Sequence, residues 1–222
     1  MRQSLRCLVF ILVAFGMAAP CFAESRGRPA PNEALVEAAR GGDLNEVRHL
    51  LESGVDPNHR DHDGATALTE AVAYGHIDIV ETLVRAGADI DMTGLDRATP
   101  LVAAAANLQF PILRYLVSEG AQLDLHDKYG MTALHYAAKH GELRAVVLLL
   151  NAGANPNRLA VGRETPLFAA ASKGHYGIVS ELLAHGADTN IRNSHGVSPL
   201  EEARAFGHTD VVRLLEERTA AR

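Results

Sequence analysis

Histidine is the chemically versatile residue that this sequence has in quantity, with 11 copies in 222 residues. Four histidines fall in polar segments that we expect to be loops: His59, His62, His126 and His195. Imidazole is a common ligand of zinc, copper and haem iron, and the run from His59 to Asp63 (HRDHD) also contains two carboxylates. A metal site, however, needs ligands that converge on a supported framework, and these lie along one loop. A metal- or haem-handling role through His59 and His62 is therefore the alternative function, and no cofactor is expected.

The other reactive residue types show no arrangement that is typical of catalysis. The sequence has no glycine-rich phosphate loop, no His-Glu-x-x-His zinc motif and no Gly-x-Ser-x-Gly nucleophile motif. The adjacent pairs Glu201-Glu202 and Glu216-Glu217 are predicted to lie in helices, where neighbouring side chains diverge and do not share a reacting atom. We therefore expect no enzyme activity and no catalytic residue.

The remaining histidines return at fixed positions because the whole chain is periodic. His175 and His208 are 33 residues apart, and the same period separates the leucines Leu35, Leu68, Leu101, Leu134, Leu167 and Leu200. A fixed period of this length indicates stacked structural repeats. Six copies follow one another without insertion: 32–61, 62–94, 95–127, 128–160, 161–193 and 194–217, here repeats 1 to 6.

Repeat 5 carries the pattern most fully. It reads Thr165-Pro166-Leu167 with three alanines, then Gly174-His175, an apolar pair, Leu182-Leu183 and Gly186-Ala187-Asp188. This pattern resembles the ankyrin repeat. The resemblance implies an all-α solenoid of six stacked helix-turn-helix-loop units joined by short β-turn or hairpin loops. It also implies protein binding, and structural hydrogen bonds for His76, His135, His175 and His208.

Elementary chemistry agrees with that fold. A threonine hydroxyl can cap a free helix amide, and the proline that follows suits the first turn, where no N–H is needed. The first helix of repeat 5 is predicted over 166–172 and the second over 178–183. Gly75, Gly141, Gly174 and Gly207 are placed to end first helices in a left-handed conformation.

Three places depart from the pattern. Repeat 1 lacks the Thr-Pro start, and Asn32 is expected to cap its first helix. Repeat 3 has Arg97 in place of the turn glycine and Pro111 in its second helix, so we expect a complete but distorted unit. In repeat 6, Glu216 stands in an apolar column, as suits a terminal repeat, and the tail 218–222 is expected to fray.

The N-terminus has the layout of a secretory signal peptide over residues 1–23, with cleavage after Ala23. Two arginines precede an apolar core that is too short to span a bilayer, which argues against the alternative of a membrane anchor. A lipoprotein anchor on Cys21 is a further alternative, which Pro20 disfavours. A polar leader, 24–31, follows, and the predicted location is the periplasm or outside the cell.

Export would leave an acidic chain without cysteine. Both cysteines, Cys7 and Cys21, lie in the signal, so the mature chain could form no disulfide. The signal holds two of the 21 basic and none of the 27 acidic residues, so the net charge would change from −6 to −8. This charge disfavours nucleic acid and anionic lipid as partners. We expect a monomer that binds another protein and inserts into no membrane.

Lysine is confined to one part of the sequence. The three lysines, Lys128, Lys139 and Lys173, all fall within repeats 4 and 5, on the face that ankyrin proteins usually present to partners. A mixture of cationic, aromatic and methionine side chains suits an acidic partner surface. The lysines equally fit the simpler interpretation that they occupy exposed columns. The predicted partner-binding residues are Tyr74, Lys128, Tyr129, Met131, Tyr136, Lys139, His140, Lys173 and Phe206.

Overall fold

The computed structural model describes residues 30–220, which form twelve α-helices. In chain order they are α1 Pro31–Gly41, α2 Leu44–Glu52, α3 Ala67–Tyr74, α4 Ile77–Arg85, α5 Pro100–Ala106, α6 Phe110–Ser118, α7 Ala133–His140, α8 Leu143–Asn151, α9 Pro166–Lys173, α10 Tyr176–Ala184, α11 Pro199–Ala205 and α12 Thr209–Ala220. None of these helices is both long enough and apolar enough to cross a membrane. The predicted signal peptide 1–23, its cysteines and most of the leader lie outside the described residues.

The helices form two layers. The odd-numbered helices, the first of each repeat, pack against one another in sequence from α1 to α11, and the even-numbered helices do the same from α2 to α12. Each odd helix also packs on the even helix that follows it. The predicted all-α repeat solenoid is therefore confirmed. Between repeats the chain turns through a loop, here called a tip, and residues 30–220 form isolated bridges at two tips but no strand.

The repeated columns build the core. The repeated leucines of the first five repeats are at most 1% exposed, and alanines such as Ala71, Ala104 and Ala170 are fully buried between neighbouring first helices. In repeat 6 the equivalent Leu200 and Val212 are partly exposed. Val211 and Leu215, which stand in the same columns as the buried Ile178 and Leu182 of repeat 5, remain fully buried.

The first helices of repeats 2, 3, 5 and 6 follow the capping prediction. The hydroxyls of Thr99, Thr165 and Ser198 accept hydrogen bonds from backbone N–H groups of the first helical turn. The prediction that Asn32 caps the first helix is wrong. Helix α1 begins at Pro31, whose ring suits the first turn, and Ala30 precedes it without a side-chain cap. Helix α12 continues to Ala220, so the tail is helical over its first three residues.

Repeat 3 is complete and distorted as predicted. Pro111 lies in the first turn of α6, where the missing N–H costs nothing. Leu108 has φ +60° in the column where other repeats have glycine, and this left-handed conformation is strained for leucine. Arg97 has φ +61° at the tip, a conformation that repeat 5 shares at Arg163 with φ +62°. The distortion particular to repeat 3 is therefore at Leu108, between its two helices.

The tips are of two alternating kinds, which the sequence analysis did not foresee. At the tips that lead into repeats 2, 4 and 6, a side-chain oxygen of Asp61, Asp127 or Asn193 accepts hydrogen bonds from two backbone N–H groups of its own tip. The tips that lead into repeats 3 and 5 lack this residue and instead form short 3₁₀ turns at Leu95–Arg97 and Val161–Arg163. The polypeptide thus repeats its tips every second unit.

Candidate partner-binding surface

The C-terminal ends of the first helices form one continuous column on the surface. Residues spaced by 33 occupy it: Tyr74, Asn107, His140, Lys173 and Phe206. Tyr74 is 59% exposed and Phe206 is 62% exposed, which is unusual for aromatic side chains of this size. This column, the helix residues Tyr136 and Lys139 and the adjacent tips together make the first-helix face, which thus includes all nine predicted partner-binding residues.

Asp127 organises the central tip. The residue is 3% exposed, and its Oδ1 accepts hydrogen bonds from the backbone N–H groups of Tyr129 at 2.8 Å and Met131 at 2.9 Å. Its Oδ2 accepts a hydrogen bond from the Tyr136 hydroxyl at 2.7 Å. Burial and this hydrogen bond raise the pKa of Tyr136 above its ordinary value. Asp127 therefore fixes three predicted partner-binding residues relative to one another.

Lys128 is bound to its own chain. Its Nζ lies 2.7 Å from Oδ1 of Asp96 and 4.9 Å from the ring centroid of Tyr129. The hydrogen bond to Asp96 raises the pKa of Lys128. The backbone N–H of Lys128 also donates to the carbonyl of Asp96 at 2.8 Å, so the residue joins the tips of repeats 3 and 4. Much of its charge is thus neutralised before any partner arrives.

Lys139 and Lys173 differ from Lys128 in this respect. Both are exposed, and no carboxylate within residues 30–218 forms an ion pair with either of them. His140 stacks on Tyr136 with the ring centroids 6.2 Å apart. Burial and the ammonium of Lys139 lower the pKa of His140, so this imidazole adds no charge at neutral pH. Lys139 and Lys173 therefore carry the positive charge at the helix ends of the face, while Arg97 and Arg163 are exposed at its tips.

These two lysines border a pocket of about 450 Å³ between repeats 4 and 5. Tyr129, Met131 and Tyr136 form one side, while Val161 of the next tip and Ala169 with Ser172 of α9 form the other. Tyr136 of repeat 4 and the much smaller Ala169 of repeat 5 occupy the same column, and both line the pocket. Its volume lies within the ~300–1,000 Å³ range of ligand pockets.

The two outermost predicted residues lie apart from this pocket. Tyr74 stacks on His76 in repeat 2, and Phe206 stacks on His208 in repeat 6. Neither lines the pocket. The structure therefore gathers Tyr129, Met131, Tyr136, Lys139 and Lys173 into one site and leaves Tyr74 and Phe206 at the two ends of the face.

The histidines of the repeated columns are structural, as the sequence suggested. Nε2 of His76, His175 and His208 lies 3.1–3.3 Å from a backbone carbonyl oxygen of the preceding repeat. His135 contacts Thr132 through Nδ1 and the carbonyl of Glu164 through Nε2. Burial lowers the pKa of His135 to about 4, so its imidazole is neutral at physiological pH. Each of these side chains joins two repeats.

The loop histidines do not assemble a metal site of the predicted composition. Within the described residues, the group of candidate ligands is Asp61, His62 and Asp63, and His59 is not part of it. Asp61 is committed elsewhere, because Oδ1 accepts two backbone hydrogen bonds and Oδ2 lies 3.4 Å from the guanidinium of Arg40. His62 and Asp63 are both exposed side chains. The geometry therefore gives no support to the metal-handling alternative.

Sequence reasoning missed three features that shape the surface. Asp127 was given no role, although Asp61 and Asn193 at the same column are a recognisable turn signal. The ion pair of Asp96 with Lys128, and Val161, which lines the pocket at 69% exposure, were missed because both belong to the unforeseen second kind of tip.

Comparison with known proteins agrees with the geometry. The family described as "Ankyrin repeats (3 copies)" matches residues 6–94, 86–160 and 159–221. An ankyrin repeat domain from Acinetobacter baumannii AYE is 32% identical with a TM-score of 0.78, covering 83% of this chain and 97% of that one. A chain in the complex of a predatory endopeptidase from Bdellovibrio bacteriovorus with an immunity protein is 28% identical with a TM-score of 0.74, at the same coverages. Among curated proteins, no sequence matches this chain.

Proposed function

This chain belongs to the ankyrin-repeat family, and on that premise we propose that it is an exported, non-catalytic module that binds another protein through its first-helix face. Ankyrin repeats are protein–protein interaction modules. The finer proposal is that binding assists or inhibits the activity of the partner, which is itself an exported protein.

One observation carries this proposal: the first-helix face leaves large side chains uncovered in a row. Tyr74, Tyr129, Val161 and Phe206 are each more than half exposed, and they lie on the tips and helix ends of five successive repeats, 2 to 6, together with Leu95. Apolar surface that is concentrated in this way is typical of interaction sites. Aromatic residues in particular supply binding energy at the centres of interfaces.

The distribution of charge adds a preference for acidic partners. The chain carries a net charge of −6, yet the face holds Lys139 and Lys173 without a carboxylate partner in the described part of the chain. These two lysines would attract an acidic surface of a partner, although the net negative charge of the whole chain repels it. The structural neighbour that occurs with an endopeptidase and an immunity protein supports a modulating role.

The proposal is tested by capturing the partner. Residues 24–222 are immobilised and exposed to periplasmic and secreted fractions of the source cells, in parallel with the double variant Lys139→Glu/Lys173→Glu. The matched control, Arg114→Glu/Arg213→Glu, makes the same charge change on exposed residues of α6 and α12. We expect a protein that the wild type and the control retain and that the lysine variant loses.

The outcomes separate clearly. Retention of every captured protein by the lysine variant would show that the first-helix face is not the binding surface. Capture of no protein by the wild type would remove the function itself. Where a partner is found, its activity with and without the purified chain distinguishes an assistant from an inhibitor.

A further inference from the structure

The pocket between repeats 4 and 5 has an apolar interior. Its apolar lining residues are Tyr129 and Met131 of one tip, Ala160 and Val161 of the next, and Ala169 of α9. Val161 is 69% exposed and Tyr129 is 51% exposed, so both leave apolar surface in water. An occupant that covers this surface gains binding energy from its removal from water.

The charged groups around the pocket are unevenly placed. Lys139 of α7 and Lys173 of α9 lie at the ends of their helices, and the carboxylate of Glu164 lies where the tip enters α9. His135 also lines the pocket, but burial lowers the pKa of this imidazole to about 4, so it contributes no charge at neutral pH. A bound carboxylate is therefore drawn to the helix-end side, where both lysines lie, and away from the carboxylate of Glu164.

We propose that this pocket receives one large apolar side chain of a polypeptide partner, while a carboxylate next to it in the partner's sequence binds Lys139 and Lys173. The inference rests on the proposed function, and it names the chemistry that the partner must present. Charge complementarity selects an acidic segment over a neutral one, because both lysines lack an ion pair within the described residues. The small Ala169 beside the large Tyr136 decides where the apolar side chain enters.

A short peptide tests this without knowledge of the natural partner. The probe is an acetylated, amidated and fluorescein-labelled peptide with the central sequence Asp-Phe-Glu, together with versions in which leucine, methionine or tyrosine replaces the phenylalanine. Two control peptides have Asn-Phe-Gln and Asp-Ala-Glu at the centre. Fluorescence polarisation with residues 24–222 measures their dissociation constants. We expect saturable binding of at least one acidic apolar peptide, weakened about tenfold by the alanine version and about fivefold by the amide version.

The repeat supplies a matched pair of pocket variants. Ala169→Tyr puts a large side chain into the pocket, at the column where repeat 4 has Tyr136. Ala103→Tyr makes the same substitution at the equivalent position of repeat 3, which does not line the pocket. We expect the first to weaken peptide binding about tenfold and the second to leave it unchanged. Because a buried alanine is altered, Val161→Ser provides a second test at a residue that is 69% exposed.

Equal binding by wild type and Ala169→Tyr, or no saturable binding of any acidic apolar peptide, would overturn the inference. Its failure is separable from failure of the proposed function. A captured partner that is lost from the lysine variant but kept by Ala169→Tyr would leave the face correct and the pocket wrong. Peptide binding without any captured partner would leave the pocket correct and the exported module unsupported.

Discussion

Replacing Asp127 by alanine should loosen the central tip more than any neighbouring change. The residue is 3% exposed and its carboxylate accepts three hydrogen bonds, from the N–H groups of Tyr129 and Met131 and from the Tyr136 hydroxyl. Hydrogen bonds to charged groups contribute about 1.5–3 kcal/mol each, and water can partly replace them once the carboxylate is removed. Counting about 1 kcal/mol for each, we expect Asp127→Ala to lower the free energy of unfolding by about 3 kcal/mol.

Two variants separate the hydrogen bonds from the charge. Asp127→Asn keeps an oxygen for the backbone N–H groups, as Asn193 does at the tip that leads into repeat 6, and should cost less than about 1 kcal/mol. Tyr136→Phe removes one donor and should cost about 1 kcal/mol. Urea unfolding measures the free energies, and hydrogen exchange of residues 127–136 reports whether the loss is confined to the tip.

The refuting results are specific. A loss below about 0.5 kcal/mol for Asp127→Ala, the range of ordinary surface substitutions, would show that the network does not hold the tip. An equal loss for Asp127→Asn would show that the charge, and not the hydrogen bonds, matters there.

Three further predictions concern acid stability, metal binding and export. Burial lowers the pKa of His135 from 6.5 to about 4, so the unfolded chain gains a proton before the folded chain does as the pH falls. Unfolding curves should therefore show the full free energy of unfolding above about pH 6.5 and a loss of about 3 kcal/mol by pH 4. The variant His135→Thr, which introduces the residue type found at the equivalent Thr69, should remove this loss. Because Asp61 is committed to its own tip, calorimetry with zinc should detect no site tighter than about micromolar, and a tighter site abolished by His62→Ala would contradict this. Expression of the full chain in bacteria should yield a periplasmic protein whose N-terminal sequencing begins at Glu24, whereas an intact Met1 would refute the signal peptide.

The fold was predictable because its information is local and repeated. Thr165-Pro166 specifies a capped helix start, and the same leucine and alanine columns recur in six copies, so one correct interpretation of repeat 5 extends to the rest. The column histidines were predictable for the same reason. The prediction of Asn32 as the helix cap was wrong because Pro31, one residue earlier, is at least as good a first residue for a helix.

The candidate site was predictable in composition but not in geometry. The position of Lys139 and Lys173 on one face follows from the period alone. The pairing of Lys128 with Asp96 does not, because it joins residues 32 apart and needs Asp96 in a left-handed conformation, with φ +56°, at an irregular tip. The pocket likewise depends on side-chain sizes in two adjacent repeats, which a consensus pattern averages away.

The alternation of tips also has a consequence for how this chain can change in length. Tips of unlike kind are hydrogen-bonded through their backbones, from Lys128 to Asp96, from Val161 to Tyr129 and from Ser194 to Gly162. Removing one repeat from the middle would bring two tips of the same kind together and disrupt this pattern, whereas removing residues 95–160 as a pair would leave unlike tips adjacent. The unit that evolution or a protein engineer can duplicate or delete without placing two tips of the same kind side by side is therefore a pair of repeats.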